Sequence, residues 1–316
     1  MAYPRVGKFV SSQAVAKEFR SSGLSESRRV NCLESFAVSL IFWVCCGHFV
    51  LGFEGPWIYT PVMIATTLGT AVFLETFDGW IHSRTPRFLI SGIIRKGFLL
   101  PPFISGLNGS MLIYSGESLG PPICAAVIAV CSKVIFRVRL ESGRLYHFLN
   151  PSNVGLCFAF YFLPAAGAVP PYQYTASAPT IGEIIVPVIG ISYGLLLNKM
   201  TGRLPLVLSY HLVYFLQASL RCWLETPGSL SPLYAMTGPA YILFSLYMIP
   251  DPGTTPYAKK NQIIFGALVA GFYGVFQQFG IIYAPFYALF AVNLLRGGMM
   301  AWKGKFLKAR GLGVTL

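Results

Sequence analysis

Charge is what this sequence lacks. Only 11% of its 316 residues are charged and only 11 are acidic, against about 25% charged residues in an ordinary soluble domain. A chain of that length has too little polar side chain to cover a surface in water, which excludes a water-soluble globular enzyme. Metal-site spacing is missing too. The seven Cys form no CxxC or CxxH pair, and Cys45, Cys46, Cys124, Cys131, Cys157 and Cys222 lie in or at the end of apolar runs, where thiols act as small hydrophobes. No nicotinamide, iron–sulfur or haem motif occurs, and strands of the membrane-barrel kind are absent. The first 32 residues are polar and basic and do not fit a secretory leader, because the apolar stretch after them starts too late and runs too long. Their Ser and basic content suits a transit peptide, against which Glu18 and Glu26 count. What the chain has is apolar length: 54% hydrophobic residues and a mean hydropathy of +0.61, with 22 Pro and 32 Gly, both more frequent in membrane helices than in soluble ones.

A helix needs about 20 mainly apolar residues to cross the hydrocarbon. Ten stretches qualify: 33–53, 58–77, 98–115, 119–137, 153–170, 181–198, 204–224, 233–250, 262–280 and 283–301. The expected class is an all-α polytopic membrane protein with about ten transmembrane helices. Its domains are a basic cytoplasmic tail (1–32), a first group of five helices (33–170), an outer loop (171–182), a second group of five (183–301) and a basic cytoplasmic end (302–316). Basic residues mark the cytoplasmic side. With the N-terminus inside, the inner side receives six from the tail, then Arg84, Arg87, Arg95 and Lys96, then Lys133, Arg137, Arg139 and Arg144. Lys199, Arg203, Lys259, Lys260 and five at the C-terminal end complete it, which makes 23 of 24 and leaves only Arg221 outside. This placement explains the net charge of +13 by topology and removes nucleic acid as a partner. The lipid bilayer is the partner instead, with both termini inside.

Non-helical backbone at membrane depth must be buried in protein or line a cavity. Three clusters of helix breakers raise that question: Leu100-Pro101-Pro102 through Ser110, Asn150-Pro-Ser-Asn-Val-Gly155, and Pro250-Asp-Pro-Gly-Thr-Thr-Pro256. Alone, Asn-Pro and Asp-Pro merely start turns. Together, in so acid-poor a chain, they point to a polar site between broken helices. Asp251 is expected to accept hydrogen bonds from N–H groups freed by Pro250 and Pro252, with Lys259 and Lys260 stabilising its charge. Asn108, His211, Gln217 and Asn293 lie inside apolar stretches, where polar side chains face the bundle interior. His211 reads first as a structural hydrogen-bond partner, then as a proton relay or ligand.

Leu246-Tyr-Met-Ile-Pro-Asp-Pro-Gly-Thr-Thr-Pro256 resembles the Asp-Pro-x-Thr-x-Pro signature of the RnfD/NqrB family of membrane electron-transport subunits. Asn150 to Gly155 resembles its Asn-Pro-x-x-x-Gly motif. Asn108-Gly-Ser110 followed by Pro121-Pro122 is similar to its Asp-Gly-Ser…Pro-Pro segment, and Asn293-Leu-Leu-Arg296 to the polar end of its last helix. Order and spacing agree over roughly residues 25–300. The resemblance implies two inverted five-helix repeats with broken helices, a fold shared with urea transporters, in a bacterial cytoplasmic membrane. A faint internal echo accompanies it: Glu117 precedes Pro122, and Asp251 precedes Pro256, by the same spacing.

The resemblance further implies a flavin, FMN or riboflavin, and protein partners in a membrane complex. If redox-active, the chain is then a non-autonomous oxidoreductase subunit. Family members attach FMN to the last Thr of Ser-Gly-Ala-Thr in the outer loop. Here Ser177 and Thr180 hold the spacing, but Ala178 and Pro179 replace Gly and Ala, and Asn108 stands where the family has Asp. Thr180 is the candidate for covalent attachment, and Asn108, Asn150 and Asn153 are candidates for a noncovalent isoalloxazine. Asp251, Thr254, Thr255, His211, Gln217 and Asn293 are the candidate functional polar residues. Two alternatives stand beside electron transfer: a small-solute transporter or channel of urea-transporter-like fold, and an accessory membrane protein of enediyne natural-product biosynthesis, beside whose genes family members occur.

Overall fold

Each of the ten apolar stretches holds a helix in the computed structural model, which describes residues 26–50, 55–139, 145–168, 180–224 and 229–309. The expected tail up to residue 25, the outer loop through Pro179 with Ser177, and residues 310–316 lie outside the described residues. The helices are α1 (Glu26–Phe49), α2 (Tyr59–Ile81), α3 (Ile93–Ser110), α4 (Gly120–Ile135), α5 (Pro151–Phe162), α6 (Thr180–Met200) and α7 (Leu204–Leu224). They continue with α8 (Pro239–Leu243, running on as a π turn, Phe244–Met248), α9 (Lys259–Gln278) and α10 (Ala284–Ala309). Among the described residues two helices, 27–49 and 59–81, are long and apolar enough by themselves to cross a membrane.

Several expected boundaries move. α1 starts inside the expected tail and α10 runs past residue 301. Pro101 and Pro102 lie within α3 without ending it, and the Ser105 hydroxyl donates to the Pro101 carbonyl at 3.0 Å. The break comes after Ser110, where β1 (Ile113–Tyr114) pairs antiparallel with β4 (Gly167–Ala168). The fifth stretch is helical only to Phe162, and a second ribbon, β2 (Arg137–Arg139) with β3 (Leu145–His147), joins α4 to α5. The fold is thus mostly helical with two small ribbons. At 1.5 Å per residue, α5 and α8 are only about 18 and 15 Å long, half the ~30 Å of hydrocarbon.

The helices pack in the same order in each half. In the first, α3 lies on α1 and α2, and α4 on α2 and α5; in the second, α8 lies on α6 and α7, and α9 on α7 and α10. Across the halves α1 meets α6 and α5 meets α10. Backbones approach closely at these crossings. A Cβ on Gly155 would intrude on the Ala125 carbonyl, and one on Gly266 on the Leu206 carbonyl, the role small residues play in packed membrane helices. Near the end of α2, Glu75, 4% exposed, takes both Arg84 and Arg87 at 2.6 Å and so fixes the turn that leads to α3.

Candidate functional site

Loop 249–258 follows the half-length helix α8 and is tied by side chains from several other elements. The π turn is closed by the Ile249 N–H on the Phe244 carbonyl at 2.9 Å. Helix ends leave carbonyls without partners. Here side-chain amides take them: Asn198 Nδ2 donates to Leu246 O at 2.9 Å, and Asn150 Nδ2 to Met248 O at 2.9 Å. Asn150 also caps α5, its Oδ1 accepting from the Asn153 N–H at 3.1 Å, as Asn does before a helix.

Asp251 then folds the loop on itself. Its carboxylate accepts the Gly253 N–H and the Thr254 hydroxyl, both at 3.0 Å. Its carbonyl accepts the Thr255 hydroxyl at 2.7 Å. Thr254 and Thr255 are buried. One N–H, that of Gly253, reaches the carboxylate where several were expected, and a hydroxyl supplies the second donor. The expectation for the cations does not hold: Lys259 and Lys260 are exposed at the start of α9, because the loop turns away from them. Two arginines, remote in sequence, face the loop instead. Arg203, 2% exposed, lies just before α7, donates to Pro256 O at 2.5 Å and Pro252 O at 3.2 Å, and rests on the Tyr257 ring at 4.6 Å. Burial pulls its pKa down, while Tyr257 and Asp251 hold it up. Arg296 of α10 donates to Thr254 O, and to Tyr146 Oη at 3.3 Å. Gln262 ties Gly202 O and Tyr257 O at 3.0 and 3.1 Å.

His147 ends β3 beside Gly253. Burial pushes its pKa down to about 4, helped by Lys133 and opposed by Asp251, with Arg137 and Arg29 adding to the lowering. Burial also raises Tyr146. The sign follows. Unfolded His titrates near 6.5, so the unfolded chain binds a proton between pH 6.5 and 4 that the folded chain refuses, and stability falls across that window. A His147→Phe variant is expected to lose less stability than the parent over that range, read from melting in detergent at stepped pH. Parallel curves would show that His147 is not the group responsible.

The described residues bring together Asn150, Asp251, Thr254 and Thr255 from the expected set. Arg203, Arg296, His147, Asn198 and Gln262 were not expected there. Arg203 and Arg296 had registered only as inner-side charge and as the end of a motif, and no local signal marks a buried arginine. Asn153 donates to Phe286 O at 3.0 Å, tying α5 to α10. Asn108 Oδ1, both amide atoms of Gln217 and both of Asn293 are buried without a partner among the described residues, and no hydrogen bond joins these three or His211 to the loop. The side chain of Thr180, the first residue of α6, lies outside the described residues. A noncovalent isoalloxazine needs donor–acceptor pairs along its edge. Asn150 and Asn153 already give their donors to helix carbonyls, so they do not fit that role.

The other half carries a counterpart. Tyr59, the first residue of α2, donates to Gly116 O at 2.5 Å and meets Ser115 Oγ at 2.8 Å, and so grips the loop after α3 as Arg203 grips the loop after α8. Chemically, loop 249–258 holds one carboxylate and two buried hydroxyls, both hydroxyls bonded to Asp251, with the Arg203 and Arg296 guanidiniums on its carbonyls. No family model matches the chain, and no curated protein matches it.

Proposed function

We propose that this chain is an integral protein of the bacterial cytoplasmic membrane, built from two inverted five-helix repeats that cross ten times with both ends inside. In this reading it serves electron transfer as a non-autonomous subunit resembling the RnfD/NqrB family and works with protein partners. One observation carries it. Three short motifs that are far apart in sequence meet at loop 249–258: Asn150 holds Met248 O, and Arg296 holds Thr254 O. The matching packing order of the two halves supports the repeat, since five helices per unit set the copies in opposite senses. The cross-links agree with the topology. Tyr59 joins Ser115 and Gly116, all expected outside; Arg203 joins Pro252 and Pro256, and Lys96 joins Glu34, all expected inside.

Reporter fusions at Gly116, Tyr172 and Gly228 are expected to report outside, and fusions at Ser142, Lys199 and Lys259 inside. An inside signal at Tyr172 would remove the ten-span arrangement. Asn150 and Asn153 give their amide donors to helix carbonyls, so Thr180 is the candidate for a covalent flavin and Asn108 the remaining candidate for a noncovalent one. In membranes from cells that also make the native partners, denaturing-gel fluorescence is expected at this band and should vanish in Thr180→Ala. A second reading, passage of a small polar solute, is favoured by the presence of one half-length helix in each half, α5 and α8. If neither gel fluorescence nor extraction finds flavin, the redox reading fails, and uptake by proteoliposomes becomes the decisive measurement.

A further inference from the structure

Away from the inner loop, a cleft of about 250 Å³ opens between α6, α7 and α8, lined among others by Ile191, Leu195, Leu208, His211, Tyr241 and Ser245. Its mouth is apolar: Leu208 and Ile191 are exposed on the outer surface of the helices, which faces hydrocarbon if these helices span the bilayer. The inference rests on that membrane reading. Inside the cleft one group is out of place. His211 Nδ1 lies 2.8 Å from the Val207 carbonyl. A carbonyl only accepts, so in the neutral ring Nδ1 carries the proton and Nε2 is a bare acceptor. Among the described residues no donor reaches Nε2. In water it would be solvated; in hydrocarbon an unmet acceptor is unfavourable. The Tyr210 and Tyr241 rings stand edge-on to the imidazole at 5.6 and 5.5 Å.

We propose that the cleft binds a membrane-soluble phenol, whose O–H donates to His211 Nε2 while its ring lies among Tyr241, Leu195 and Ile191. The donor has to be a neutral O–H on a membrane-soluble molecule, and the aromatic walls select one carried on a ring. An acyl chain has no donor, and a charged headgroup would not leave the interface. The volume falls below the ~300–1,000 Å³ of drug-sized pockets, so one ring or the head of a longer molecule fits. Aromatic walls favour a ring by edge-to-face contact.

The test measures binding of radiolabelled 4-octylphenol to the full chain in lipid nanodiscs, with uptake by empty nanodiscs subtracted. 4-Octylanisole, the methyl ether that keeps the shape and loses the donor, is the comparison. Saturable binding is expected, about tenfold weaker for the ether, in line with one net hydrogen bond. His211→Phe should weaken the phenol by about the same factor. His211→Gln, which restores an acceptor oxygen, should recover most of it. Melting curves show which variants remain folded. Equal binding of phenol and ether, or unchanged binding in His211→Phe, would leave only an apolar groove filled by lipid tails and overturn the proposal. Flotation with liposomes separates the two layers: a chain that does not float fails the membrane reading and this proposal with it, whereas a chain that floats but binds no phenol fails this proposal alone.

Discussion

Asp251→Ala is expected to abolish complementation of a strain lacking the gene, while the variant still reaches the membrane fraction in normal amount. The carboxylate receives the Gly253 N–H and the Thr254 hydroxyl, and hydrogen bonds to a charged group are worth about 1.5–3 kcal/mol each. Its loss also removes the negative charge that favours the charged forms of Arg203 and Lys133. The loop should open, with Pro252 and Pro256 no longer held against Arg203. Asp251→Asn keeps the shape and one acceptor oxygen but not the charge, so complementation that returns with Asn would assign the effect to the turn and not to the electrostatics. Full complementation by Asp251→Ala would reduce the residue to a cap worth about 0.5–2 kcal/mol.

Gly155→Ala should be the most damaging single methyl. The new Cβ would collide with the Ala125 carbonyl, a backbone atom inside α4 that cannot swing aside as a side chain can. Overpacking of this kind costs about 1–3 kcal/mol and more where nothing yields. Because α5 is short and starts at the Asn150 cap, displacing it also draws Asn150 away from Met248 O. We expect a melting point several degrees lower in detergent and reduced yield, with Gly155→Ser no better. The contrasting position is Gly271, where a Cβ meets nothing within 4 Å; Gly271→Ala should melt as the parent does. An unchanged melting point for Gly155→Ala would mean that α4 and α5 are less closely apposed than described here.

Helix positions were legible in the sequence because apolar length alone decides them. Their ends were not: α5 stops at Phe162 although the apolar run continues, since Gly167 and Ala168 are drawn into a ribbon with Ile113 and Tyr114. The site was half legible. Asn150 and Asp251 stand beside prolines, and punctuation of that kind is local. Arg203 and Arg296 reach the loop from 53 and 42 residues away, and in sequence they are two among many inner-side cations. Lys259 and Lys260 show the converse error, in which nearness along the chain stood in for nearness in space. Asn108 was grouped with Asn150 by type, yet it sits at the end of α3 with no hydrogen bond to loop 249–258 among the described residues.

The π turn at the end of α8 has a mechanical consequence. It holds one more residue than the α turn it replaces. Tightening Phe244–Met248 to α would pass that residue into loop 249–258 and rotate the two sides of the turn by roughly 100° relative to each other. Asn198 on Leu246 O and Asn150 on Met248 O hold two carbonyls of that turn in their present directions. A shift of that kind would have to break both amide bonds, so together they hold the turn, and the loop that Asp251 folds, in one register.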